Sequence, residues 1–198
     1  LEKVKSLTVA FYSADGGVTL KRALTADTDD AMTLQRTYKI LNNAVITSTE
    51  IGQITTNGQT PVLKTKRSTD TYFFGEVGEE RVNYSVNFKG LGLSDTNDVR
   101  STTVSYYAGN RATNPSVTPE TALSKQITYK GALSQEDKAG YSMNQKGQWL
   151  DDEGKVTTDL SSRMIKNVSN QKLSENVFNI HNGVGEEKLD YTLNYKGA

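Results

Sequence analysis

"GEERVNYSVNFKG", residues 78–90, and "GEEKLDYTLNYKG", residues 185–197, nearly repeat one another. Seven of the thirteen positions are identical, and the other six are like-for-like exchanges: Arg81/Lys188, Val82/Leu189, Asn83/Asp190, Ser85/Thr192, Val86/Leu193 and Phe88/Tyr195. An apolar residue occupies every second position, Val82, Tyr84, Val86 and Phe88 in the first copy, Leu189, Tyr191, Leu193 and Tyr195 in the second. Successive side chains of a strand point to opposite faces, so this alternation predicts two half-buried strands, each with one wet face. A Gly-Glu-Glu turn precedes each strand and Lys-Gly closes it.

Two shorter matches stand in the same order. Ser6–Tyr12, "SLTVAFY", matches Ser101–Tyr107, "STTVSYY", and Val18–Leu24, "VTLKRAL", matches Ile127–Leu133, "ITYKGAL". The offsets are 95, 109 and 107, so the second copy is expected to carry about fourteen extra residues, within "RATNPSVTPETALSKQ" at 111–126, between its first and second strands. The chain therefore reads as all-β with an internal duplication: one unit over 1–97, another over 98–198, and a boundary in the turn-rich "GLSDTNDVR" at 92–100. Convergence of solvent-facing strands on Thr, Tyr, Lys and Gly is the competing explanation. Turns are expected at "SADGG", "TTNGQ", "LDDEGK" and "IHNGVGEE", which are rich in residues that tolerate left-handed backbone. Helix signals are few. "TPETALSK" at 118–125 can form one turn capped by Thr118 with Pro119 at its first position, and "DDAMTLQRTYKILNNA" at 29–44 fits a helix or two strands equally well.

A chain of 198 residues can bury one large β core or two small ones. Lys plus Arg equals Asp plus Glu at 23 each, so no global field draws it to nucleic acid or an anionic membrane. The basic residues scatter between strands instead of alternating with aromatics, which also disfavours nucleic acid. No apolar run is long enough for a membrane helix, and Leu1 opens directly into a polar segment, as expected of a soluble, processed product. Without cysteine there is no disulfide frame, thiolate metal site or cysteine nucleophile.

Catalytic chemistry is sparse, and a non-enzymatic role is expected. His181, the single histidine, sits in the turn-like "FNIHNGVG"; it reads as an exposed loop residue, and it is the only imidazole that could serve as an axial haem ligand. Asp151-Asp152-Glu153 beside Gly154 reads as a solvated hairpin turn ahead of a calcium site, so no metal is expected. Tyr72, Phe73 and Phe74 are consecutive, and in a strand at least one of them faces away from the core. They belong either to a strand buried on both faces or to an aromatic anchor for a protein partner. With the 111–126 segment, including Arg111 and Asn114, they are the candidate partner-binding residues, because loops at the ends of a β scaffold vary without disturbing the ladder.

Val104–Leu133, "VSYYAGNRATNPSVTPETALSKQITYKGAL", resembles the junction between handle and barrel in the transferrin-binding protein B superfamily of bacterial surface lipoproteins. The likeness rests on the Tyr106-Tyr107 pair ahead of Gly109, the Asn114-Pro115-Ser116 loop and the Ile127–Gly131 strand; "GKVTTDLSSRMIKNVSN", residues 154–170, resembles a barrel hairpin behind it. The resemblance implies an antiparallel β-sandwich handle followed by a β-barrel-like unit, and a place on the bacterial outer-membrane surface, or secretion, with any membrane attachment through a lipid anchor upstream. It implies capture of a host iron or haem carrier, above all haemoglobin, for iron acquisition during host interaction and virulence, with an outer-membrane receptor as a further partner. Compact members include the haemoglobin-haptoglobin utilisation lipoproteins and the secreted haemophilins. The alternatives are a haemophore that holds haem itself through His181, and an adhesin or structural β repeat.

Overall fold

The computed structural model describes residues 4–42, 44–52, 54, 64–89, 99–159, 162–166, 168–181 and 183–196. Their contacts divide the chain into two compact units, one of Leu1–Glu80 with Ser85–Arg100, the other of Arg81–Tyr84 with Ser101–Ala198. The expected boundary at 97/98 and the expected turn "TTNGQ" lie outside the described residues. Among those described, no helix is long and apolar enough to cross a membrane.

The chain is nearly all β and its sheet pairing is antiparallel, as the alternation predicts. In chain order the elements are β1 (Ser6–Ser13), β2 (Lys21–Arg22), β3 (Ala31–Ile40), α1 (Ser48–Gly52), β4 (Thr65–Phe74) and β5 (Arg81–Phe88), then β6 (Val99–Tyr107), β7 (Asn110–Arg111), β8 (Leu123–Lys130), α2 (Gln135–Ala139), β9 (Lys172–Asn179) and β10 (Lys188–Asn194). One succession of elements thus occurs twice. In the first unit the strand order is β2-β1-β3-β4-β5; in the second it is β5-β6-β8-β9-β10 with β7 on β6. Each is an open meander to which a two-residue strand adds a short pairing on the first strand, Phe11↔Arg22 and Tyr12↔Lys21 in one, Tyr106↔Arg111 and Tyr107↔Asn110 in the other.

The structure corrects the register of the middle match. Gln35-Arg36-Thr37-Tyr38-Lys39 of β3 is the counterpart of Gln126-Ile127-Thr128-Tyr129-Lys130 of β8, whereas Val18–Leu24 lies in the excursion around β2. Tyr38 and Tyr129 are both buried, as are Val9 and Val104 at matched points of β1 and β6, and these pairs anchor the two cores. The excursions, residues 14–30 and 108–122, are of similar length, so 111–126 is not the insertion. The extra chain lies further on, between α2 and β9 (140–171), where the first unit spends only 53–64 between α1 and β4.

The repeated Gly-Glu-Glu now has a physical reason. Glu80 Oε1 accepts the backbone N–H of Met32 at 3.0 Å, and Glu187 Oε1 accepts that of Leu123 at 3.0 Å, so each second glutamate ties the last hairpin to the start of the second long strand. Burial raises the Glu187 carboxyl, but the backbone N–H groups around it outweigh burial and hold it below its ordinary value. The first copy's turn also depends on Gly75, at φ 137°, where a Cβ would stand 2.5 Å from the Glu79 carbonyl oxygen.

Two other expectations resolve by packing. Residues 31–40 of the ambiguous 29–44 segment form one strand, because Leu34, Tyr38 and Ile40 bury on its core face while β1 and β4 pair with its edges. At 118–125 the expected helical turn is a tight turn closed by Thr121 N–H on the Thr118 carbonyl at 2.9 Å, after which β8 begins at Leu123; pairing with β6 and β9 outweighs the local capping signal. Within the first unit the polar centre is Asp70, fully buried, accepting from Arg36 Nε at 3.0 Å and Nη2 at 2.9 Å and from Arg67 Nε at 2.9 Å. In the second copy Ile127 replaces Arg36, and its cross-strand neighbour Glu175 pairs with Lys125 and Lys172 nearer the solvent.

Candidate functional site

Arg22 and Arg111 are counterparts, and their work is structural. Arg22 lies over the Phe11 ring and donates to the carbonyls of Ile51 and Ile54 at 3.1 and 3.0 Å, fastening α1. Arg111 lies over the Tyr106 ring and donates to the carbonyl of Asp137 at 2.8 Å, to that of Lys138, and to Asn83 Oδ1 at 3.0 Å, fastening α2. Only 7% of Arg111 is exposed, and burial pulls its guanidinium below its ordinary value. The expected partner-binding arginine is therefore an internal clamp. Gly140, at φ 79°, closes α2, and a Cβ there would meet Arg111 Cγ at 2.9 Å; glycine is required both for the left-handed cap and for the space.

Beyond this clamp the extra segment folds into a small bridged patch. Tyr141 bridges Ile165, Met143 bridges Trp149, Leu150 bridges Val156 and Asp151 bridges Arg163. Its outer turn is the expected "LDDEGK": Asp151 Oδ1 accepts the N–H groups of Glu153 and Lys155 at 3.0 and 2.8 Å, leaving Asp152 and Glu153 solvated. The patch holds the chain's one tryptophan. Trp149 meets Tyr141 edge-on, with centroids 6.3 Å apart, and the Arg163 guanidinium lies 4.7 Å from the Trp149 centroid and 5.9 Å from that of Tyr141. Arg163 Nε is buried without a hydrogen-bond partner.

The neighbouring loop after β7 is tied to this patch. Thr113 Oγ1 donates to the Ala139 carbonyl and the Tyr141 hydroxyl to the Thr113 carbonyl, both at 3.0 Å. Asn114 Oδ1 accepts from the N–H and the hydroxyl of Ser116 at 2.9 and 2.8 Å, which shapes the Asn-Pro-Ser turn. Loop and patch form an open recess of about 420 Å³, lined by Asn114, Pro115, Ser116, Tyr141, Asp152, Arg163 and Ile165. Such a recess offers apolar surface from Pro115, Tyr141 and Ile165, the Arg163 cation, and the polar groups of Asn114, Ser116 and Asp152. Trp, Tyr and Arg are the residues that dominate the centres of protein interfaces.

Of the residues the sequence singled out, Asn114 reaches this recess. Tyr72, Phe73 and Phe74 belong to β4 of the first unit: Tyr72 packs on the core around Tyr38, Phe73 is half-buried and Phe74 is the exposed one. His181 stands exposed after β9, its backbone N–H on Asn179 Oδ1 at 3.0 Å. Among the described residues, no group of three or more His, Asp or Glu is arranged to hold a metal. Sequence reasoning missed Tyr141, Trp149 and Arg163. The lone tryptophan was the available signal, but only the bridges bring residues 141, 149 and 163 together. Compared with known protein families, curated proteins and solved structures, the chain matches none.

Proposed function

We propose that the chain is a non-catalytic bacterial surface or secreted protein whose second unit binds a host protein, with haemoglobin or another iron or haem carrier as the best specific partner. The handle-and-barrel likeness of Val104–Leu133 supplies the partner class. The observation that carries the binding role is the recess itself: Tyr141, Asp152, Arg163 and Ile165, from the segment that the second unit has and the first lacks, line it beside the Asn114 loop, and Trp149 packs against Tyr141 and Arg163. A duplicated scaffold keeps its strands and acquires specificity where one copy departs from the other. The Arg163 guanidinium at the lining of the recess favours a partner that brings a carboxylate or carbonyl acceptor.

Calorimetry against haemoglobin tests this reading. Arg163→Ala, at the lining of the recess, is expected to weaken binding about thirtyfold, as a central interface arginine does, with Phe74→Ala as the comparison on the first unit. No binding of haemoglobin or other haem carriers by the parent protein rejects the partner class. Binding that Arg163→Ala leaves unchanged while the protein melts like the parent rejects the recess.

A further inference from the structure

The two copies of the repeated strand differ in their surroundings. In β5, Val86 is 5% exposed, and Tyr84 packs against the core around Val104 and Tyr129. Their counterparts in β10, Tyr191 and Leu193, are 49 and 45% exposed, and on the same repeat Leu189 and Tyr195 are 56 and 39% exposed. In strand order β5 has β6 beside it, whereas among the described residues β10 pairs with β9 alone. The other end of the repeat shows the matching gap. Among the described residues, β1 over Ser6–Ala10 pairs with β3 alone, and Ser6, Leu7 and Ala10 are exposed or half-exposed where Ser101, Thr102 and Ser105 of β6 are buried.

From this we infer that β10 of one molecule takes β1 of a second copy of this chain, in the manner of the β5–β6 junction. Within the second unit that junction is specified by named contacts: the Tyr107 hydroxyl donates to the Val82 carbonyl at 3.0 Å, and Arg111 donates to Asn83 Oδ1 at 3.0 Å. Every member has a counterpart on the two open edges. Tyr12 replaces Tyr107, Leu189 replaces Val82, Arg22 replaces Arg111, and Asp190 replaces Asn83. The last exchange turns a neutral acceptor into a carboxylate facing an arginine, so the intermolecular junction gains charge complementarity that the internal one lacks. An open strand edge with an apolar face is a template for strand addition, and joining two different edges gives a head-to-tail contact that continues from copy to copy.

Sedimentation velocity over protein concentrations from about 1 µM to about 1 mM reads the outcome. The expected result is a mass that rises with concentration past that of a dimer. Tyr191→Lys and Asp190→Arg, both on a solvated strand, are each expected to lower the association constant about thirtyfold or more, while Val156→Lys, an exposed apolar position elsewhere, leaves it unchanged. Three results overturn the inference: a parent chain that stays monomeric throughout, meaning that a different partner or segment covers β10; a mass that stops at a dimer, meaning a closed β10-to-β10 pairing; or assembly that Tyr191→Lys and Asp190→Arg leave intact.

Discussion

Gly140→Ala isolates the packing of the Arg111 clamp from the backbone strain of its cap. Alanine at φ 79° costs about 1–2 kcal/mol, because Cβ crowds the following carbonyl in left-handed backbone. At Gly140 the new Cβ also lies 2.9 Å from Arg111 Cγ. That side chain cannot move aside freely, since its guanidinium is held by the carbonyls of Asp137 and Lys138 and by Asn83. Overpacking of this kind adds about 1–3 kcal/mol, for a total near 3 kcal/mol. Gly154 supplies the control, with φ 77° and nothing within 4 Å of its Cβ, so Gly154→Ala should cost only the backbone share. Urea unfolding followed by fluorescence of Trp149, the one tryptophan, reports on the second unit selectively. With a slope of about 1–2 kcal/mol/M, Gly140→Ala should lower the midpoint by roughly 1 M beyond Gly154→Ala. Combining Gly140→Ala with Arg111→Met should cost less than the sum of the two changes, because the clash and the clamp involve the same side chain. Equal midpoints for Gly140→Ala and Gly154→Ala, or strict additivity in the double variant, would refute the clamp.

In the first unit, Asp70→Asn leaves Arg36 and Arg67 facing a neutral amide in a buried site, and a loss of about 3–5 kcal/mol is expected from thermal or urea unfolding followed by circular dichroism. An unchanged melting temperature would show that water reaches the pair. The start of α1 carries an acid-sensitive contact: Glu50 accepts from Lys64 Nζ at 2.6 Å and from the N–H of Thr47 at 2.8 Å, and Thr47 Oγ1 in turn accepts the N–H of Glu50, a reciprocal cap. The Lys64 ammonium first, then Thr47, hold the Glu50 carboxyl down at about 2. A carboxyl lowered on folding adds stability above its unfolded value near 4.5, and that stability is lost as pH falls toward 2. Glu50→Gln should therefore flatten this part of the acid-stability profile of the parent, measured by melting temperature between pH 5 and pH 2.

What the sequence by itself determined is the part governed by local periodicity. Alternating Val82–Phe88 and Leu189–Tyr195 can bury one face only as strands, and their near-identity announces a duplication whose first and last strands, β1 with β6 and β5 with β10, are where the matches put them. The middle match was misread because "VTLKRAL" and "ITYKGAL" share composition while occupying unlike places in the meander. Gln35–Lys39 and Gln126–Lys130 differ at the one position, Arg36 against Ile127, where cross-strand pairing with Asp70 in one unit and Glu175 in the other sets the residue type. Register between strands is a property of partners distant in sequence, so only the tertiary structure could move the insertion from 111–126 to 140–171, turn Arg111 from a surface anchor into a buried clamp, and bring Tyr141 and Arg163 to one recess with Trp149 packed against both. The same reason separates β5 from β10: their sequences specify the same strand, and whether its apolar face is covered depends on which strand lies beside it.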